Sequence, residues 1–225
     1  MTRRRWLRVR WPFDMRTLGE RLRAIPFTAS TQNGFILDRV RPNSLEGRFI
    51  ERQDISQIVE SPLGEKIVYE RTEFRDIGFA VNPSYSDLEI INPPRSMSLF
   101  LSRLGEACNF EVSVSEIKVD VIRWCERFSK ETNREIKIVS CQMRDIKLTE
   151  GVMATAILKG ANDVRLAADK LTNGASYTND KIRVQIEGSP INTLILTRQG
   201  SASIDKSASE PLLEALRRSL HYSLD

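Results

Sequence analysis

The chain has 225 residues, 40% hydrophobic and 28% charged, with 34 Lys and Arg against 30 Asp and Glu, a net +4. That length and balance suit a folded protein with a real core, in one domain or two small ones. Three widely spaced cysteines (Cys108, Cys125, Cys141) and one histidine (His221) argue against a zinc site or a disulfide framework, and predict buried, reduced thiols in a cytoplasmic protein.

The opening segment is the most informative. Residues 1–26 hold eight arginines, Arg3, Arg4, Arg5, Arg8, Arg10, Arg16, Arg21 and Arg23, against Asp14 and Glu20. They carry a net +6, which leaves −2 for residues 27–225. Guanidinium groups grip phosphate in a planar fork and stack on flat rings, so this segment predicts a polyanion-binding edge. No apolar run follows the basic start as in a secretory signal, and Asp14 and Glu20 weigh against a transit peptide. No segment has the apolar length of a membrane span.

In chain order, residues 5–11 alternate as a strand ended by Pro12. Asp14 caps a helix with Met15, Leu18, Leu22 and Ile25 at helical spacing, stopped by Pro26. Asn33-Gly34 marks a tight turn before a strand at Phe35-Ile36-Leu37, broken by Pro42-Asn43. Residues 47–52, 55–60 and 66–74 read as successive strands, with Ser61-Pro62-Leu63-Gly64 as a turn. Residues 77–81 and 88–91 read as a hairpin around Asn82-Pro83-Ser84. After Asn92-Pro93-Pro94, Met97, Phe100, Leu101 and Leu104 form one helical face, and Phe110, Val112 and Val114 alternate as a strand. Ser115 is placed to cap a helix through Ile117, Val121, Trp124, Cys125 and Phe128, although Ile117, Val119 and Val121 also alternate. Strands follow at 136–143 and 152–158. A short helix opens at Asn162 or Asp163 and ends at Asn173-Gly174. Residues 182–186 and 193–197 form a last hairpin around Gly188-Ser189-Pro190. Residues 199–209 read as a loop, and Leu212, Leu213, Leu216 and Leu220 as a closing helix with Ser209 as cap and Pro211 in its first turn.

Mostly hairpins rather than βαβ units, the pattern predicts an α+β fold with antiparallel, strand-rich sheets and about five helices. A strand, a helix and a meander of strands occur near the start and again after residue 110. This suggests two related sub-domains, a basic one over 1–94 and a second over 95–225, or one continuous domain.

Motifs for catalysis are weak. Serine or cysteine nucleophiles need a base, and His221 lies near the end of a terminal helix. No phosphate loop of the GxxxxGK[ST] or GxGxxG kind occurs. Glu135-Ile136-Lys137 and Asp145-Ile146-Lys147 have the carboxylate-x-lysine spacing of a magnesium nuclease, but such triplets arise by chance in a chain this charged. The candidate site is therefore a nucleic-acid surface of Arg3, Arg4, Arg5, Arg8 and Arg10, extended by Arg39, Arg41, Arg48 and Arg52. Trp6 and Trp11 are candidates for base stacking, although first-strand tryptophans more often belong to the core. No cofactor or metal is expected.

The order of elements is similar to the RdgC family of bacterial nucleoid-associated proteins, which limit recombinase loading. The resemblance rests on the basic first strand and helix, Ile25-Pro26-Phe27-Thr28, the Gly34-Phe35-Ile36 strand, the hairpin over 77–91 and the helix over 95–107. It continues through the strand over 110–114 and the Cys141–Leu148 segment before Gly151–Leu158. It implies a homodimer, in the family capable of ring closure, that binds duplex DNA independently of sequence and without a cofactor. The chain has less sequence than the family between residues 60 and 75, which bears against a closed ring. Two rival readings are an accessory or scaffold subunit of a larger bacterial complex, such as one for phage defence, and the metal-dependent nuclease.

Overall fold

The computed structural model describes residues 1–85, 88–187 and 193–224. The expected turn at Gly188-Ser189-Pro190 lies outside them. In chain order the elements are β1 (Thr2–Arg10), α1 (Met15–Arg23), β2 (Asn33–Arg41), β3 (Ser44–Glu60), β4 (Lys66–Val81) and β5 (Leu88–Ile91). Then come α2 (Ser98–Ala107), β6 (Ser113–Glu116), α3 (Val121–Thr132), β7 (Ile136–Thr149), β8 (Val152–Lys159) and α4 (Arg165–Thr172). The chain closes with β9 (Thr178–Ile186), β10 (Thr193–Thr197), β11 (Ser201–Ile204) and α5 (Glu210–His221). The fold is α+β, and its strand ladders are antiparallel. Among the described residues no helix is long and apolar enough to cross a membrane.

Two compact units share the chain. The first comprises Met1–Val9, Ser84–Asn92 and Val114–Asp225, the second Arg10–Pro83 and Pro93–Ser113. The chain passes between them at 9/10, 83/84, 92/93 and 113/114. Each unit draws residues from both sides of the division expected after residue 94.

In the first unit the strand order is β5-β1-β11-β10-β9-β7-β8, with β6 pairing β1. One face of this sheet carries the core. Ile138, Cys141, Met143, Ile182, Val184, Ile186, Leu194, Leu196, Ala202 and Ile204 pack there with Val121, Trp124, Cys125 and Phe128 of α3 and Leu212, Leu213, Leu216 and Leu220 of α5. Trp6 belongs to the same cluster. Its ring meets Trp124 edge-on, with centroids 5.8 Å apart, and Trp124 Nε1 donates to Ser219 Oγ at 3.2 Å and to the Leu216 carbonyl at 3.3 Å. That bond satisfies the one polar atom of a fully buried indole.

The second unit sets α1 and α2 against the sheet β2-β3-β4. Its aromatic core is Phe35, Phe49, Phe79 and Phe100, with neighbouring centroids 5.1–6.3 Å apart. Asp14 caps α1 by accepting from the Thr17 amide at 2.7 Å.

Several sequence expectations need correction. Asn33-Gly34 is strand, not turn. A Cβ on Gly34 would stand 2.5 Å from the Pro26 and Phe27 backbone, because Pro26 bridges to Phe35 there; the glycine permits a close approach. β3 and β4 each run unbroken through the polar stretches that suggested breaks. The third helix starts at Val121 under Asp120, whose side chain accepts from the Ile122 and Arg123 amides, and Ile117 and Val119 sit in the non-helical segment before it. Phe110 adopts φ 57° and is exposed, so the strand begins only at Ser113. Residues 201–204, expected as loop, form β11, which pairs with β1 and β10. Ser209 precedes α5 without a side-chain cap bond.

Candidate nucleic-acid interface

Alternation along β1 divides the five arginines. Arg3 and Arg5 point to one side of the strand, and Arg4, Arg8 and Arg10 to the other. Arg4 shares its side with Trp6 and lies opposite Ala202, both in the core. There it pairs with Glu89 of β5, which Arg217 of α5 also reaches at 2.8 Å. The three side chains are nearly enclosed, with relative exposures of 14% for Arg4, 6% for Glu89 and 16% for Arg217. Burial pushes the Glu89 carboxyl up, but the charges of Arg217 and Arg4 outweigh it and hold the group below the usual carboxylate range. Arg4 is thus an interior structural cation, which corrects its assignment to a binding surface.

Arg5 donates to Glu116 of β6 at 2.7 Å. Arg3 is exposed, and its amide donates to Asn92 Oδ1. Arg8 and Arg10 are exposed on the side opposite Arg3. The remaining candidates lie in the second unit, where carboxylates meet most of them. Arg39 stands 3.7 Å from Glu46, and Arg52 lies 3.2 Å from Asp54. Arg48 lies 3.5 Å from Asp38 and 3.2 Å from Asp76. Arg41 is exposed. As a cluster of open cations, the predicted set does not hold. A basic strand in a chain with thirty acidic residues recruits carboxylates, and proximity in sequence says nothing about them.

Trp11, the other candidate for stacking, is half-buried and lies 6.4 Å from Phe13 in the second unit. Trp6 is core.

The strand register assembles a different surface in the first unit. Arg3 lies opposite Ser203, Ser203 opposite Ile195, Ile195 opposite Arg183, Arg183 opposite Ser140, and Ser140 opposite Lys159. The next row reads Arg5, Ser201, Thr197, Lys181, Gln142 and Ile157. Both rows lie on the side of the sheet away from the helices, because the residues that alternate with them along the strands (Ile182, Val184, Leu194, Leu196, Ala202) fill the core. The first row crosses five inter-strand steps, about 24 Å. Lys159, Lys181 and Arg183 are exposed, and none of them forms an ion pair among the described residues. Between the cations stand Ser203, Ser140, Ser201, Thr197 and Gln142, whose hydroxyls and amide are donors suited to phosphate oxygens, and the apolar Ile195. No residue of either row is aromatic. At the margins Lys137 is taken by Glu187, and Arg144 by Asp180 at 2.8 Å. Alternation within β9 shows Lys181 and Arg183 facing together; their alignment with Arg3 and Arg5 passes through β11, which sequence reading takes for a loop.

Elsewhere the chemistry is spare. His221 Nδ1 lies 3.1 Å from the Tyr85 carbonyl oxygen. Among the described residues no group of three or more His, Cys, Asp or Glu side chains converges. Asp145 sits at φ 58° in a bulge of β7 with Arg144 beside it. No protein-family model matches the chain, and comparison with curated proteins finds no relative.

Proposed function

We propose that the chain is a non-enzymatic protein that binds duplex DNA independently of sequence and acts as a homodimer. The supporting observation is the open sheet face of the first unit, where Lys159, Lys181 and Arg183 stand without acidic partners among the described residues, in register with Arg3 and Arg5. A sheet face with cations set among serine and threonine hydroxyls meets a sugar–phosphate backbone. Having no aromatic platform, it lacks the stacking that favours single strands. It carries no acidic or amide array for reading base edges, since Gln142 is the one amide in the two rows, so recognition is by charge.

Fluorescence anisotropy with a labelled duplex and the corresponding single strand tests this reading. The duplex binds more tightly, its affinity falls steeply with salt, and scrambling its sequence leaves the affinity unchanged. Equal binding of a neutral polymer, or affinity indifferent to salt, rejects it.

A further inference from the structure

The outer halves of β3 and β4 form a two-stranded arm. β2 pairs with β3 only as far as the Asn33/Glu51 pair, whereas β3 and β4 continue together from Arg52/Phe74 to Glu60/Lys66. Every residue from Ser56 to Glu60 and from Lys66 to Asp76 is exposed. Among them are Ile58 at 66%, Val68 and Tyr69 at 56% and Ile67 at 43%, with Leu63 at the tip at 90%. An uncovered strand edge with apolar side chains is a template for another strand. The arm holds five carboxylates (Asp54, Glu60, Glu65, Glu70, Glu73) against Arg52, Lys66 and Arg71, so a phosphate polymer is not what it fits.

We infer that the β4 edge of this arm pairs antiparallel with the β4 edge of a second copy, on a two-fold axis through Val68. The reason is that residues 65–71, Glu-Lys-Ile-Val-Tyr-Glu-Arg, are complementary to their own reversal. In that register Glu65 faces Arg71 of the other copy, Lys66 faces Glu70, Ile67 faces Tyr69, and Val68 faces Val68. Each opposition joins opposite charges or two apolar groups, the combinations that stabilise cross-strand pairs. Moving the axis to lie between Val68 and Tyr69 sets Ile67 against Glu70 and Lys66 against Arg71. The β3 edge centred on Ser56 sets Asp54 against Ile58 and Gln53 against Val59. Only the β4 register uses the whole segment.

The same register extends the arm's own cross-strand pairs. Ile58 lies opposite Val68, and Val59 opposite Ile67, so the joined arms carry an unbroken apolar row of Ile58, Val68, Val68 and Ile58 on one face. A two-fold interface of this kind uses one patch twice and closes at two copies. The inference rests on the homodimer proposed above and is independent of the basic face.

Sedimentation of the full chain across a concentration series, in buffer without DNA, reads it. The mass rises toward twice the 25.7 kDa chain mass. Val68→Lys and Val68→Glu each abolish the dimer by placing like charges on the axis, and an equimolar mixture of the two restores it. Val68→Cys forms a disulfide-linked dimer in air, while Leu63→Cys, more accessible but away from the axis, does not. A chain that stays monomeric, a dimer unmoved by Val68→Lys, or equal cross-linking at both positions overturns the inference. Val68→Lys that remains folded and still binds duplex through its basic face separates failure of this interface from failure of the DNA-binding reading.

Discussion

Arg4 and Arg5 are neighbours in sequence and have different work to do. Arg5 lies on the side of β1 that faces away from the helices, with Glu116 beside it, while Arg4 is held under α5 by Glu89. Removing the carboxylate leaves two guanidiniums in a nearly enclosed site. Glu89→Gln is expected to cost about 3 kcal/mol, at the lower end for breaking a buried pair, read by urea unfolding at neutral pH. The pH dependence follows from the direction of the shift. The folded carboxyl ionises below its ordinary range, so its contribution is complete above that range and is lost as pH falls through the folded value. Wild type therefore loses stability on acidification, and Glu89→Gln loses less. The thiols shift the other way. Burial pushes Cys125 up to about 12 and Cys108 up to about 11, so both stay protonated at neutral and mildly alkaline pH, where the thiolate is the reactive form. The folded chain should resist alkylation at pH 8 while urea-unfolded chain reacts fully; rapid labelling of native protein contradicts this burial.

At the scale of elements, much was legible where periodicity or caps were strong. Asp14 with Met15, Leu18 and Leu22 announces α1, and the leucines of α5 announce a closing helix. α3 was legible in existence and not in its start, because Ser115 and Asp120 are both competent caps and only the hydrogen bonds decide between them. Asp120→Ala should cost about 1 kcal/mol, whereas Ser115→Ala should be near neutral; thermal unfolding of the pair distinguishes them. β11 could not be read at all. Ser201, Ala202, Ser203 and Ile204 are small and mostly polar, and serine and alanine give little or no strand signal. They form a strand because β1 and β10 supply partners on both sides. The long β3–β4 arm is not legible as one hairpin for a similar reason: Gln53-Asp54 and Arg71-Thr72-Glu73 interrupt the apolar pattern, and only the continuous ladder shows that they are paired.

At the scale of the whole molecule, net charge and its distribution part company. The N-terminal excess of positive charge was plain in the sequence, and it drew attention to β1. What sequence could not reveal is where the acidic residues go. Glu89 and Glu116 are far from Arg4 and Arg5 in the chain and adjacent in space, as Asp38 and Asp76 are to Arg48. The cations that stay open, Lys159, Lys181 and Arg183, come from β8 and β9, where the residues around them carry no special excess of charge. In the proposed function these three cations hold a phosphate backbone. This is tested by titrating a labelled duplex with the wild-type chain and with the Lys159→Gln, Lys181→Gln, Arg183→Gln triple variant over a range of salt. The triple variant stays folded and binds more weakly, with a log–log salt slope shallower by roughly one for each cation removed. A variant that binds duplex with unchanged affinity and slope would contradict it.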